Sequence, residues 1–209
     1  MSRQNNVFFG FFLGAAAVVV FLGLTFFSYK VTWRLLDYLD IEHKRPQADY
    51  SFLKEDFRLN FENERDLKVL DAAQAAFSRS VDFPSEGKYS LKVEFPSGRE
   101  FPGVGLEVYG RDCFDWTQME DFSFTVFNAI DAPARLTVHI KSGAAYPKKD
   151  YETTQEIPAL SMARFRITRQ ELANMLDLNQ ISAVRLFMQD PRTTFFLFFD
   201  DMKVTRRDS

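Results

Sequence analysis

The chain has 209 residues, of which 46% are apolar, and its formal net charge is −3. This length suits one ordinary domain with an appendage, and the acidic balance excludes the basic footprint of a nucleic-acid-binding protein. The single cysteine excludes an intramolecular disulfide, and no Cys/His cluster has zinc-ligand spacing.

The N-terminal part of the chain predicts a membrane anchor. After a short tail (residues 1–6), residues 7–29 carry no charge, and as a helix they reach roughly 34 Å, enough to cross a bilayer. A cleaved signal peptide is the alternative, but its small residues should lie at the end of the apolar run, whereas here they lie in the middle. We therefore expect an uncleaved signal anchor. Gly10 and Gly14 form a GxxxG pattern, through which two copies of the helix could associate.

Residues 30–48 predict a juxtamembrane helix and linker, with Trp33 and Arg34 suited to the membrane interface. Two arguments on orientation disagree. More cations follow the apolar run than precede it, and the positive-inside rule would place the C-terminal part in the cytoplasm. Long domains, however, are translocated with little regard to charge. We expect the C-terminal domain on the periplasmic or extracellular side.

From residue 49 to residue 209 apolar side chains recur with a period of two between turn residues, which is typical of β-strands. Leu91, Val93 and Phe95 alternate after a turn at residues 84–87, which predicts a hairpin with the preceding run. Further strands are predicted near residues 77–83, 104–108, 122–126, 136–140, 165–167, 181–188 and 195–199. Thr168 and Glu171 have capping-box spacing and predict a short helix over residues 170–176. The pattern predicts one all-β sandwich.

The order of several motifs resembles the jelly-roll domains of the galactose-binding-like superfamily, in particular those of the carbohydrate-binding-module type. The residues that carry the resemblance are Gly87, Ser90, Leu91 and Val93, then Asp115 and Trp116, then Phe122, Phe124, Val126 and Asn128, and finally Phe199, Asp200 and Val204. The resemblance implies a two-sheet jelly-roll β-sandwich in which Trp116 packs inside. The fold hosts many functions and does not by itself select one.

The sequence contains no pattern that indicates catalysis. No pair of carboxylates is marked for glycoside hydrolysis, and there is no nucleophile elbow, no HExxH and no glycine-rich phosphate loop. We therefore expect a binding protein and not an enzyme.

The resemblance also implies a structural calcium ion between an acidic N-terminal strand and the last strand. Asp200 is the best match for such a ligand and Glu62 the second, since hard cations bind carboxylate oxygens. The alternative is that Asp200 accepts backbone hydrogen bonds at a corner of the sheet.

The candidate binding surface is the set of strand residues that alternate with the core positions. If their strands are adjacent, these residues form one outer surface that mixes aromatic rings with hydrogen-bond donors. They are Phe127, His139, Lys141, Arg185, Phe187 and Gln189, with Phe196 and Phe198 sharing the same parity. One hypothesis is that the surface recognises a cell-envelope or secreted polysaccharide. The other is that it docks onto a membrane-associated protein complex, because phenylalanine lacks the polar tip of tyrosine and tryptophan.

Overall fold

A computed structural model describes residues 48–108, 113–143 and 149–207 of the chain. The predicted transmembrane segment (residues 7–29) lies outside the described residues, as does the predicted juxtamembrane segment except for Ala48. Within the described ranges, no helix has the length and apolar character that crossing a bilayer requires. Residues Asp49–Ser209 constitute one compact unit.

The described ranges contain eleven β-strands, arranged in two sheets that form a sandwich. The strands are β1 (Arg58–Leu59), β2 (Asp71–Ala73), β3 (Ala76–Ser80), β4 (Ser90–Phe95), β5 (Gly103–Glu107), β6 (Met119–Asn128), β7 (Ala134–Ser142), β8 (Lys149–Ile157), β9 (Met162–Thr168), β10 (Ile181–Phe187) and β11 (Phe195–Arg206). The first sheet has the order β3-β4-β11-β6-β9, with β1 also paired to β11, and the second has the order β2-β5-β10-β7-β8. All pairings are antiparallel. The all-β prediction is confirmed.

Three short α-helices occur in the described ranges: α1 (Ser51–Glu55), α2 (Glu64–Lys68) and α3 (Arg169–Ala173). The predicted capping box at α3 is confirmed. The Glu171 N–H donates to the Thr168 hydroxyl at 3.4 Å, and the Thr168 N–H donates to Oε2 of Glu171 at 2.7 Å. The α-helix ends at Ala173, earlier than the predicted residue 176, and a separate 3₁₀ turn at Leu178–Gln180 leads into β10.

The core lies between the two sheets and is rich in aromatic rings. In β4 the alternate residues Leu91, Val93 and Phe95 are fully buried, as their period of two predicts. Phe124 stacks on Phe165 with ring centroids 4.7 Å apart, and Trp116 stacks on Phe122 at 5.4 Å. Stacked and edge-to-face pairs of this kind add to the free energy gained by apolar burial.

The predicted hairpin is formed by β3 and β4, which pair with Phe77 opposite Val93. Its long connection requires glycine at one position. Gly87 has φ +65°, and a Cβ there would lie 2.4 Å from Oε1 of Glu62. Glycine is the residue that adopts this conformation without a steric penalty. The connection of the hairpin thereby packs closely against Glu62, in the segment that follows β1.

The strand β8 has no counterpart among the predicted strands. It is the outermost strand of the second sheet, and most of its side chains are exposed threonine, glutamine and charged residues. Buried Tyr151 and Ile157 contact the interior. Because an edge strand covers little of the core, its sequence lacks the apolar alternation that marks the inner strands.

Candidate functional site

The predicted binding residues lie on two different surfaces. Phe127 belongs to β6 and faces outward from the first sheet, together with Phe196 and Phe198 of β11. His139, Lys141, Arg185 and Phe187 belong to β7 and β10 and face outward from the second sheet. Gln189 follows the end of β10 and is exposed. The strands are therefore not all adjacent, and the single surface that the sequence predicts is divided between opposite layers of the sandwich.

The outer surface of the second sheet brings four of the predicted residues together. We call it the second-sheet face; its central residues are Gly103, Gly105, Glu107, Thr137, His139, Lys141, Arg185 and Phe187. In the β-ladder Arg185 lies opposite His139 on one side and Gly105 on the other, and Phe187 lies between Thr137 and Gly103 in the same way. The rings of His139 and Phe187 lie 6.4 Å apart, and the exposed ring of Phe101 lies 5.9 Å from that of Phe187.

Two positions of β5 on this face are glycines and carry no side chain. Gly103 and Gly105 share the outer parity of β5 with Glu107. A Cβ on Gly105 would lie 2.3 Å from the carbonyl oxygen of Val184, and one on Gly103 would lie 2.7 Å from Cβ of Phe187. The close approach of β5 to β10 thus requires glycine at both positions. Atoms of Arg185 and Phe187 fill the space that a side chain at either position would need.

Ion pairs and burial set the charge of the polar groups on this face. The guanidinium of Arg185 forms an ion pair with the carboxylate of Glu107. The His139 side chain is 17% exposed, and its Nε2 lies 3.4 Å from Oδ2 of Asp150. Burial lowers the pKa of His139 below its ordinary value, and Lys141 lowers it further, against the opposing effect of Asp150 and Glu152. The imidazole is therefore neutral at pH 7 and offers one donor and one acceptor.

Phe127 takes part in a separate aromatic cluster on the outer surface of the first sheet. The ring of Phe83 stacks on that of Phe127 at 3.9 Å and lies edge-on to Phe198 at 5.0 Å. The Nζ of Lys92 lies 5.0 Å above the ring of Phe196. We call Phe83, Phe127, Phe196 and Phe198 the phenylalanine patch. The ring of Phe83 is 45% exposed. Its backbone has a φ of +52°, which is unusual for a residue with a bulky side chain.

The two residues proposed as calcium ligands are engaged by hydrogen-bond donors. Oδ2 of Asp200 accepts bonds from the Ser85 and Glu86 N–H groups, and Oδ1 accepts one from the Asp201 N–H. Oε1 of Glu62 accepts bonds from the N–H groups of residues 88 and 89 at 2.7 and 2.8 Å. These donors engage both oxygens of Asp200 and one oxygen of Glu62, and the described residues contain no group of three or more metal-ligating side chains. This arrangement does not fit calcium.

A cavity of about 160 Å³ lies away from both surfaces. Its lining comes from α1, from the segment before β6 and from the end of β11, and includes Phe57, Trp116 and Arg206. None of the predicted binding residues lines it. Although Trp116 lines the cavity, its Nε1 is buried and has no hydrogen-bond partner among the described residues.

The residue that sequence reasoning missed on the second-sheet face is Glu107, together with the two glycines before it. The Gly-Val-Gly-Leu-Glu run is visible in the sequence as a strand with glycine at alternate positions. Such glycines in a strand signal a close approach of another backbone or a ligand, and this signal could have placed β5 at the site.

Comparison with known proteins supports the fold and gives no family assignment. No protein-family model matches the sequence. No curated protein matches it either. Among solved structures, an exo-β-agarase superposes with a TM-score of 0.58 and 12% sequence identity over 72% of this chain and 25% of the agarase. This chain therefore spans about a quarter of that enzyme.

Two isolated modules match over nearly their whole length. A family 11 carbohydrate-binding module from Clostridium thermocellum, solved in complex with a β-1,3-1,4-mixed-linked tetrasaccharide, has a TM-score of 0.52 and 13% identity over 71% of this chain and 94% of the module. A family 30 carbohydrate-binding module of a cellulosomal cellulase from the same organism has a TM-score of 0.51 and 12% identity over 74% of this chain and 92% of the module. The jelly-roll fold that the sequence motifs indicate is confirmed.

Proposed function

We propose that this protein is a membrane-anchored, non-catalytic binding module that recognises carbohydrate through the second-sheet face. The observation that carries the proposal is the convergence of His139, Arg185 and Phe187 on neighbouring strands, with glycines at positions 103 and 105 of β5 beside Phe187 and Arg185. These residues come from two neighbouring strands of a well-buried sheet, so their backbones are held rigidly.

The chemistry of this face suits a sugar ring. Phe187 is half-buried and offers an apolar surface to the C–H groups of a pyranose. The neutral imidazole of His139, whose Nε2 contacts Asp150, can accept a bond from a sugar hydroxyl through Nδ1, and Arg185 retains N–H donors beyond its bond to Glu107. Apolar surface with a few well-placed polar groups is the usual composition of a small-ligand site.

The fold is compatible with this function but does not establish it, because the same sandwich serves many purposes. Its similarity to carbohydrate-binding modules supports a polysaccharide as the ligand. The proposal assigns no reaction to the chain, and incubation with a bound polysaccharide should release no soluble sugar.

The proposed anchor is the uncharged segment at residues 7–29, with Gly10 and Gly14 as the proposed contact between two copies. We place the C-terminal domain outside the cytoplasm, in the periplasm or at the cell surface. Protease treatment of intact and permeabilised cells tests this placement. Digestion of the domain only after permeabilisation of every membrane would contradict it.

Glycan-array binding of residues 47–209 tests the carbohydrate proposal. The fragment contains the whole described core, from Leu53 to Val204, and is expected to fold by itself. Phe187→Ala and Arg185→Ala should each abolish binding. Phe196→Ala is the matched control, because it is a half-buried outward phenylalanine on the other sheet. Absence of binding across plant, bacterial and host glycans would contradict the proposal.

A second candidate function is supported by the phenylalanine patch. Phe127 lies opposite Met162, which is 51% exposed, so an apolar surface continues across β6 and β9. Contiguous apolar surface of this kind is typical of a protein interface. In this alternative the domain is a structural subunit of a membrane-associated complex. Phe83→Ser and Met162→Ser should then release the full-length protein from the complex, while Phe187→Ala should not.

A further inference from the structure

The second-sheet face carries more carboxylates than cations. Its outward strand positions hold three cationic side chains, Arg135, Lys141 and Arg185, and five carboxylates, Asp71, Glu107, Asp150, Glu152 and Glu156. Because His139 is neutral at pH 7, it does not offset this excess.

Each cation on the face has a carboxylate beside it. Arg185 is ion-paired with Glu107 on β5. Lys141 lies directly opposite Asp150 in the ladder of β7 and β8, and Arg135 lies opposite Glu156 in the same ladder. Opposite charges at facing positions attract one another. A carboxylate or sulfate group on a ligand would have to displace Glu107 to reach Arg185, and it would approach Lys141 and Arg135 beside the negative charges of Asp150 and Glu156.

Glu152, like Asp71 opposite Gly105, does not lie opposite a cation in the ladder. It is exposed and lies opposite the neutral His139, and its side chain has no hydrogen bond or ion pair among the described residues. Strands are about 4.8 Å apart, so Glu152 lies roughly 10 Å from Arg185 across β7. A sugar chain that also contacts His139, which lies directly opposite Glu152, would come within roughly 5 Å of that strand position.

We propose that Glu107 and Glu152 make the second-sheet face reject acidic polysaccharides, such as uronate-bearing or sulfated polymers, and accept uncharged ones. Glu107 acts by holding Arg185 in an ion pair, and Glu152 acts by direct repulsion. The inference rests on the proposed function, because it names the class of glycan that the same surface takes.

The effect of each carboxylate should be modest and sensitive to salt. A charge at a largely exposed position changes binding by about two- to fivefold, and ions at physiological strength screen it over about 8 Å. Glu107 should have a larger effect than Glu152, since the side chain of Glu107 is 12% exposed whereas Glu152 is an exposed residue.

Affinity gel electrophoresis of residues 47–209 tests the proposal with two sets of soluble polymers. The uncharged set is agarose and mixed-linkage β-glucan, and the acidic set is polygalacturonate, alginate and carrageenan. The variants are Glu152→Gln, Glu107→Gln and the double variant. Glu94→Gln is the matched control, because Glu94 faces outward from the first sheet. Thermal unfolding confirms that each variant is folded. If Glu107→Gln and the double variant are not folded, Glu152→Gln, at an exposed position, is sufficient to test the proposal.

The wild-type protein should be retarded by uncharged polymers and not by acidic ones. The double variant should gain retardation by acidic polymers that added salt removes, and Glu94→Gln should behave as the wild type. Retardation of the wild type by acidic polymers would overturn the inference and leave the carbohydrate function intact. Unchanged selectivity in the folded variants would also overturn it. No retardation by any polymer would refute both proposals.

Discussion

Ser85 is bound to Asp200 twice: its backbone N–H donates to Oδ2 of Asp200 at 2.8 Å, and its hydroxyl donates to the same oxygen at 3.0 Å. The carboxylate is buried, and it fixes the connection of the first hairpin to the last strand of the same sheet. Asp200 therefore acts as a cap for backbone N–H groups that no strand partner reaches.

We expect Asp200→Ala to lower the free energy of unfolding by about 2–4 kcal/mol, because three backbone N–H groups, of which that of Asp201 is buried, lose their acceptor. Ser85→Ala should lower it by about 1 kcal/mol, since the backbone donor keeps its bond. Urea unfolding followed by tryptophan fluorescence measures both. Equal losses in the two variants would show that the backbone bonds to Asp200 contribute nothing.

Calcium should not stabilise the domain. The oxygens of Asp200 and Glu62 already accept hydrogen bonds, so a cation would have to break them before it could bind. A ligand that binds the folded state raises its stability as its concentration rises. The melting temperature of residues 47–209 should be the same in EDTA and in about 100 μM calcium, a concentration about 100 times the dissociation constant of a micromolar site. A rise that Asp200→Asn abolishes would contradict this prediction.

The stability of the domain should fall as the pH falls through the range in which histidine titrates. The pKa of His139 in the folded protein lies below the ordinary 6.5 because of burial and the positive charge of Lys141. Below pH 6.5 the unfolded chain therefore binds more protons than the folded one. The stabilising contribution of the neutral His139 imidazole is fully present above pH 6.5. It is lost as the pH falls from 6.5 toward the pKa of His139 in the folded protein.

Urea midpoints between about pH 5 and pH 8 measure this effect, and His139→Gln should flatten the dependence. The other histidine of the chain is His43, so the fragment of residues 47–209 contains a single imidazole for NMR titration. A titration midpoint above 6.5 would contradict the direction of the shift.

Gly87→Ala should destabilise the domain more than Gly98→Ala does. Both glycines have positive φ, +65° and +70°, so each substitution introduces a backbone strain of about 1 kcal/mol. The added methyl group meets Oε1 of Glu62 at position 87, whereas nothing lies within 4 Å at position 98. Thermal unfolding of the two variants compares them. Similar losses would indicate that the Glu62 side chain moves away easily.

The sequence was sufficient to predict those strands that bury one face in the core, and to predict which of their residues face inward. Leu91, Val93 and Phe95 alternate because one face of β4 is buried, and the same rule located β6, β7 and β10. The capping box at Thr168 was also predictable, since it depends on local spacing alone. Edge strand β8 was not, because solvent on most of its surface removes the apolar signal.

The division of the candidate site could not be predicted from parity. Alternation tells which side of its own sheet a residue faces, but not the sheet to which the strand belongs. Phe127 and His139 lie on consecutive strands, β6 and β7, which the chain sends to different sheets. Only the long-range pairing of β10 with β7 places Arg185 beside His139.

The assignment of β6 and β7 to different layers has a consequence for how the domain could operate. The second-sheet face and the phenylalanine patch point away from each other, so a glycan on one leaves the other uncovered. If both proposed surfaces bind, one copy would link a glycan to a protein, since neither ligand would cover the other's surface.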